Sequence, residues 1–354
     1  MAAWRYAASL ILIARHGQKY RSPVSSSVQN YNMLCLKRHQ KSSFMPGSYV
    51  FPGGNIDPVD SDLKWYELFA SFGFDNDSFT SLTPKTTVRP QIFKAQQNEL
   101  LRDISLRITA IRETFEECGV LICKQRGEEP SVEAQYLSVP KEELQTWQKK
   151  IHNNASEFLT FCKKFDCYPD LWALHEWNNW LTPTYLEKRY NTVFYLACVQ
   201  STPDTEYDVT EIEDLIWETP ENIWSTTDII LPPPQQYEIT KFATFRDIDH
   251  ILDYAVQRGK VGVQCYLPVR VNLKDGFVHV LPGDTMYPKK IDPNCRLIID
   301  KSNISMDEFR EMTPLKNRIE FLDVRMTILH IDDVQITDGR ISPKPGEPQI
   351  KHKY

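Results

Sequence analysis

The stretch from Ile104 to Gly119 constrains this chain more than any other. Ile104, Ile108, Ile111 and Phe115 recur at steps of four, three and four, a single apolar stripe that predicts a helix packed on a core. Gly119 stands where a left-handed C-terminal cap is expected, so the helix ends there. Its last turns read IRETFEECGV and hold Arg112, Glu113, Glu116 and Glu117, with no lysine between Ile108 and Ile122. A merely solvated face would interleave opposite charges to relieve repulsion. Positions three and four apart share a face, so Glu113 meets both Glu116 and Glu117. Three carboxylates at a helix C-terminus oppose the helix dipole. A divalent metal ion reverses that sign, because Mg²⁺ takes carboxylate oxygens and shares its remaining positions with phosphates and water. The spacing therefore points to metal-dependent phosphate chemistry, against the alternative of a plain acidic patch.

The rest of the chain limits what surrounds this helix. A length of 354 residues implies roughly two domains, or one with a large insertion or extension. With 41% hydrophobic and 25% charged residues the chain is an ordinary globular one. The net charge of -6 argues against general nucleic-acid binding, which needs a basic footprint. Charge is uneven, however. No Asp or Glu precedes Asp57, whereas Arg5, Arg15, Lys19, Arg21, Lys37, Arg38 and Lys41 all do. Three readings stand: chance and solubility, a mitochondrial-type basic leader, or a positive wall beside an anionic substrate. The eight cysteines show no C-x-x-C pair, which argues against a zinc site and for a reducing compartment. The longest apolar run, Tyr6 to Ala14, is far short of the roughly 20 residues a membrane span requires.

Residues 6 to 14 and 31 to 38 read as strands, followed by an extended segment ending in Gly53-Gly54. Residues 61 to 72 predict a short helix leading into an irregular, proline-bearing excursion. Ser138 is the expected N-cap of one or two helices over 140 to 165, with Pro140 in the first turn. WNNWLTPT, NTVFYLACV and LIWETP predict strands, and the prolines at 232 to 234 mark a boundary or cap before a helix around 246 to 258. Beyond Gly262 the chain is β-rich, with hairpin turns expected at Lys274-Asp275-Gly276 and Asp338-Gly339.

The helix end resembles the second half of the Nudix box, G-x5-E-x7-R-E-U-x-E-E-x-G-U, in which U is aliphatic. The first half is found at FPGGNIDPVD, with Gly54 followed after five residues by Asp60, where the family has glutamate. Between Asp60 and Arg112 lie 51 residues where the pattern has seven, an excess of 44. Thr114 stands in place of the usual aliphatic residue. An interrupted box resembles one Nudix branch, the acyl-coenzyme A diphosphatases. The likeness extends through LKRHQKSSFMPGSYVFPGG, HEWNNWLTPTYLEKRYNTVFYLA and, more weakly, VHVLPGDTMYP, covering roughly residues 5 to 285.

The resemblance implies an α/β (α+β) Nudix fold, an α/β/α sandwich around a mixed sheet. Residues 1–225 would form the hydrolase domain, with a box insertion at about 61–104 and a helical insert at about 135–170. Residues 226–354 would form a β-rich C-terminal extension packed on it or following it. Glu113, Glu116 and Glu117 would bind Mg²⁺ or Mn²⁺ with the Gly53 carbonyl, and Arg112 would orient the glutamates. Gly54 would let the backbone approach the substrate closely. Asp60, one methylene shorter than glutamate, would serve only a structural role or keep that of the family's glutamate. A further acid from a later loop would be Glu211 or Glu213, each of which also reads as an exposed loop acid. Lys37 and Arg38 would meet the 3′-phosphate of coenzyme A or are surface charge. His175 and Glu176 would touch substrate or belong to a Trp-rich core strand.

The implied reaction is hydrolysis of the diphosphate of coenzyme A or an acyl-CoA to adenosine 3′,5′-bisphosphate and (acyl-)4′-phosphopantetheine. The partner is therefore a small molecule. Hydrolysis of another nucleoside diphosphate derivative (ADP-ribose, a dinucleotide or capped RNA) and a catalytically silent binding module are the rivals. The branch points to a peroxisome or mitochondrion, although the ending KHKY is not a Ser-Lys-Leu address and a cytoplasmic place remains open.

Overall fold

The structure is a computed structural model; it describes residues 4–16, 29–86 and 89–323, and the backbone of the strand segments 326–331, 334–337 and 340–343. Lys19, Arg21, the Asp338-Gly339 turn and the KHKY ending lie outside the described residues. The chain divides into two compact bodies, one of residues 6–178 and 192–263, the other of residues 1–5, 179–191 and 264–354.

The larger body is built on β1 (Arg5–Arg15), in which every residue from Ala7 to Ala14 is buried. A strand covered on both faces reads as a continuous apolar run rather than an alternation, which is what ASLILIA supplies. Beside it runs β2 (Tyr31–Arg38), antiparallel with Ile13 opposite Met33. Two short strands follow: β3 (Tyr49–Val50) pairs with β2, and β4 (Gly53–Asn55) lies along β1 with Ser9 opposite Gly53 and Ala8 opposite Gly54. The glycine turn is thus held by the ladder of the most deeply buried strand.

The excursion then leaves and returns. It carries α1 (Lys64–Ser71) and tight turns at Asp77–Leu82 and Gln91–Phe93 before α2 (Arg102–Cys118) begins. The Leu100 amide donates to the Ser61 carbonyl at 3.0 Å, so the two ends of the excursion meet. Trp65, Phe69, Phe79, Leu82 and Ile92 are buried within it, and Phe74 and Phe79 stack on Trp172 at 4.8 and 5.7 Å. Burying each such side chain contributes about 1.5–3 kcal/mol. The insertion therefore folds as a packed layer. Arg89 within it binds both Glu176 oxygens at 2.7 and 2.9 Å, pairs with Asp103 of α2, and lies over the Phe93 ring.

Helix α2 is buried at every position except Glu113, which is half-buried, and ends at Gly119 with φ 74°, the left-handed cap its glycine allows. After it come β5 (Cys123–Gln125), α3 (Lys141–Asn153), α4 (Glu157–Lys164) and β6 (Cys167–Pro169), which pairs with β5. The N-cap of α3 is Pro140, not Ser138. Ser138 stands too far before the first helical residue, Lys141, for its hydroxyl to serve the free amides of the first turn.

Three longer strands follow, β7 (His175–Leu181), β8 (Tyr190–Val199) and β9 (Ile212–Glu218). The sheet order is β7-β8-β1-β2-β3, with β4 on β1 and β9 on β2. Helices α5 (Pro220–Ser225), α6 (Pro233–Ala243) and α7 (Ile248–Val261) complete this body. The prolines cap and open α6, an additional helix ahead of α7, since Pro is favoured in a first helical turn, where its missing N–H costs nothing.

In the smaller body, β10 (Cys265–Tyr266) runs parallel to the end of β7, making that sheet mixed. Strands β11 (Val269–Leu273) and β12 (Gly276–Val280) form the hairpin expected around Lys274-Asp275. With β13 (Ile298–Lys301), β14 (Asn317–Asp323) and β15 (Met326–Ile331) they make a sheet of order β13-β11-β12-β14-β15. Helix α8 (Met306–Met312), opened by a Ser305–Glu308 capping box, sets Met306 and Phe309 against Val269, Val271, Val278 and Val280. A separate two-stranded pair, β16 (Val334–Thr337) and β17 (Arg340–Pro343), follows. The architecture is α+β with a β-rich C-terminal region. Among the described residues no helix is long and apolar enough to cross a membrane.

Candidate active site

The site lies where the glycine turn of β4 meets the last two turns of α2. A methyl group on Gly53 would overlap the Ala8 carbonyl and Ser9, and one on Gly54 would overlap the Glu113 carboxylate. Gly53 has φ 146°, a conformation that L side chains rarely adopt. Gly53 is thus required by the backbone of β1, whereas Gly54 leaves room for the Glu113 carboxylate. The Gly53 amide is used directly, because it donates to Glu117 Oε2 at 2.8 Å.

Arg112 organises the rest. Its Nε and Nη2 donate to the two oxygens of Asp60 at 2.8 and 2.9 Å, the bidentate geometry a planar guanidinium favours. Nη1 reaches Glu116 Oε1 at 2.5 Å, and Nη2 reaches Glu113 Oε1 at 3.0 Å and the Asn55 carbonyl at 3.3 Å. Asp60 is fully buried and also accepts from Thr109 Oγ1 at 2.8 Å and the Asp57 amide at 3.0 Å. Asp60 therefore faces Arg112 and the protein interior, and fixes the arginine that spaces Glu113 from Glu116. The two halves of the interrupted box are joined by this ion pair.

The electrostatics of the cluster follow from burial. Desolvation pushes the Glu113 carboxyl up to about 8, against the Arg112 guanidinium, with the Glu116 charge adding to the rise. Glu116 is raised for the same first reason, and Glu117 is held well above the usual carboxylate range by burial and by the Glu113 charge. Three acids that favour protons in a dry pocket favour a cation equally, since a positive ion supplies the same neutralisation. Carboxylate oxygens form a hard donor set, which suits a hard divalent cation and not a soft metal.

Of the two expected loop acids, Glu213 lies instead in β9, partly buried beside the end of β2, accepting from the Gln40 amide at 2.9 Å and lying 3.8 Å from Lys37 Nζ. Glu211 is about half exposed, and its charge contributes to raising Glu117. Arg38 acts on Glu117 in the opposite sense, and its Nε is buried without a hydrogen-bond partner. Structure thus brings Glu211 and Arg38 electrostatically to the glutamates and ties Glu213 to Lys37. His175 and Glu176 belong to the core: His175 Nε2 lies 2.7 Å from the Val132 carbonyl, and Glu176 is consumed by Arg89.

Around the C-terminal end of α2 stand residues that sequence reasoning missed. Gln148 of α3, buried, donates through Nε2 to the carbonyls of Phe115, Glu116 and Glu206 at 3.2, 3.3 and 2.8 Å. The amides of Asp208 and Glu206 donate to the Glu117 and Cys118 carbonyls, each at 3.1 Å. The free carbonyls at the helix end are thereby paired, and the loop bearing Glu211 is fastened to the helix bearing Glu117. His152 of α3 lies 3.9 Å from both Asp208 and Glu211. Thr109 was detectable, one helical step before Arg112. Gln148 left no local signal, because its role depends on how α3 packs.

A family description, the NUDT19 Nudix domain, matches residues 4–242, and the NUDT19 C-terminal domain matches residues 270–332. The chain is 31% identical to the acyl-coenzyme A diphosphatase NUDT19 of Xenopus laevis, over 99% of this chain and 98% of that one. It is 30% identical to the Homo sapiens protein of the same name, over 99% and 94%. A solved Nudix hydrolase from Alicyclobacillus acidocaldarius superimposes with a TM-score of 0.52 at 20% identity, covering 72% of this chain and 97% of that one, which shows the shared fold.

Proposed function

The chain belongs to the NUDT19 family of Nudix hydrolases, and on that footing we propose that Glu113, Glu116 and Glu117, with the Gly53 carbonyl, hold the divalent metal ions of an acyl-coenzyme A diphosphatase. The enzyme hydrolyses the diphosphate of acyl-CoA, a small-molecule substrate. The products of that cleavage are adenosine 3′,5′-bisphosphate and acyl-4′-phosphopantetheine, and free coenzyme A would be cut at the same bond. The observation that carries the site assignment is that one arginine, held in place by Asp60, fixes Glu113 and Glu116 while the Gly53 amide fixes Glu117 at the same end of α2.

When bound, Mg²⁺ or Mn²⁺ neutralises the charge developing on the diphosphate and makes water a better nucleophile. The residues do the rest. Arg112 holds Glu113 and Glu116 apart at fixed positions, and the Gly53 amide keeps Glu117 turned toward the glycine turn. Glu211, on the loop fastened to the end of α2, is the candidate acceptor of the proton that water loses on attacking phosphorus. Arg38 and Lys37, at the end of β2, supply positive charge for the substrate's phosphates.

The test compares Glu117→Gln and Glu211→Gln with wild type on an acyl-CoA across a metal titration that reaches saturation. Loss of a metal-binding carboxylate should raise the metal concentration needed and lower kcat. Loss of a base should lower kcat by about 10²-fold with unchanged metal dependence. Wild-type kinetics in Glu117→Gln would refute the site assignment.

A further inference from the structure

Away from the glutamates, three cysteines converge. Cys123 on β5, Cys167 on β6 and Cys162 on α4 place their Sγ atoms within 4.8 Å of one another. The register explains two of them. Cys123 opposes Pro169 and Gln125 opposes Cys167, so Cys123 and Cys167 occupy the same face of the β5–β6 pair, one diagonal step apart. Cys162 comes down on that face from the helix. The sequence argument against a zinc site rested on the missing C-x-x-C pair, but strand pairing and a helix bring thiols together here as that motif does locally.

We propose that Cys123, Cys162 and Cys167 form a site for one thiophilic metal ion, and that its trigonal, all-sulfur donor set fits Cu⁺. Three lines of argument converge. The donors are all soft, and among the described residues no His, Asp or Glu joins them, which selects for a cation that prefers thiolate. Zn²⁺ almost always takes four ligands, and a pocket whose three cysteines are 2%, 0% and 0% exposed has no ready water for the fourth. Metal–sulfur bonds of about 2.3 Å in a trigonal plane put the sulfurs about 4.0 Å apart, so the cluster has to close by less than about 1 Å. Packing alone would explain three separate small apolar residues. It does not explain why three thiols share one point.

Each thiol that ligates Cu⁺ would release its proton to solvent. No electron is transferred. The ion would clamp α4 to the β5–β6 pair, and through the Phe161–Phe115 contact at 5.3 Å it would stiffen the packing of the helical insert on α2.

The experiment titrates the full, reduced chain anaerobically against the coloured Cu⁺–bicinchoninate complex. Wild type should withdraw one equivalent of Cu⁺, Cys162→Ala and Cys123→Ala none, and Cys295→Ala, at an exposed cysteine, one. Retained diphosphatase activity in Cys162→Ala establishes that the variant is folded. X-ray absorption on copper-loaded wild type should show a shell of three sulfurs, a measurement needing no variant. Failure of wild type to compete, loss of uptake in Cys295→Ala with uptake retained in Cys162→Ala, or uptake of one Zn²⁺ where Cu⁺ is refused would each overturn the proposal.

Discussion

Arg112 Nε and Nη2 close on the two oxygens of Asp60 at 2.8 and 2.9 Å, and both residues are out of contact with water. The two residues stand on opposite sides of the excursion, so this pair restores a continuous active-site motif from a divided sequence. Breaking a buried pair by removing one partner strands the other charge and costs about 3–5 kcal/mol. Asp60→Ala should therefore lose stability on that scale in a urea titration, and should bind activating metal about 10–100-fold more weakly, since Glu113 and Glu116 lose the arginine that spaces them. Wild-type stability with wild-type metal affinity would show that the pair plays no such part.

The two glycines separate folding from catalysis. Gly53→Ala meets the β1 backbone in a positive-φ conformation, so it should destabilise the fold by about 1–3 kcal/mol. Gly54→Ala meets only the movable end of Glu113, so thermal unfolding should change little while kcat falls. Parallel melting curves and steady-state kinetics on both variants distinguish these outcomes. Equal effects on melting and on kcat would contradict the geometry.

Stability should depend on pH in a sense set by the glutamates. In the folded, metal-free protein burial holds the Glu113 carboxyl up at about 8 and raises Glu117 well above the usual carboxylate range, whereas in the unfolded chain such groups release their protons near 4.5. The folded state then binds more protons, and stability falls as pH rises through that interval. Chelated protein should melt at a lower temperature at pH 8 than at pH 6. Adding Mg²⁺ or Mn²⁺ should raise the melting temperature more at pH 8. A larger metal effect at pH 6 would reverse the sign and sink the assignment.

Gln148 should act as a positioning residue. Gln148→Ala leaves carbonyls at the end of α2 unpaired and loosens the loop that carries Glu211, with a stability cost of about 1–3 kcal/mol. Its kcat should fall about tenfold while KM for the acyl-CoA stays near wild type. A change confined to melting temperature would make Gln148 purely structural.

The active helix was legible in the sequence because its signals are local. Apolar steps of three and four, a capping glycine and a run of acids all fall within sixteen residues, and β1 could be read from its unbroken apolar run. The glycine half of the box could be joined to the helix only through family likeness, since 51 residues of chain hide the contact that Asp60 makes. What stayed hidden depends on tertiary packing. Gln148 and the three cysteines acquire their roles only when α3, α4 and the β5–β6 pair are placed. Ser138 illustrates the limit of local rules: a good capping residue two positions too early caps nothing.

The most direct test of the central claim is a substrate panel of acyl-CoA, coenzyme A, ADP-ribose, a dinucleoside polyphosphate and capped RNA, each assayed with Mg²⁺ and Mn²⁺ and analysed for the bond cleaved. The account predicts the highest kcat/KM for acyl-CoA or coenzyme A, with adenosine 3′,5′-bisphosphate as a product and no turnover in chelator. A kcat/KM at least about a hundredfold higher for any other member of the panel, equivalent to about 2.7 kcal/mol of transition-state binding, would contradict it.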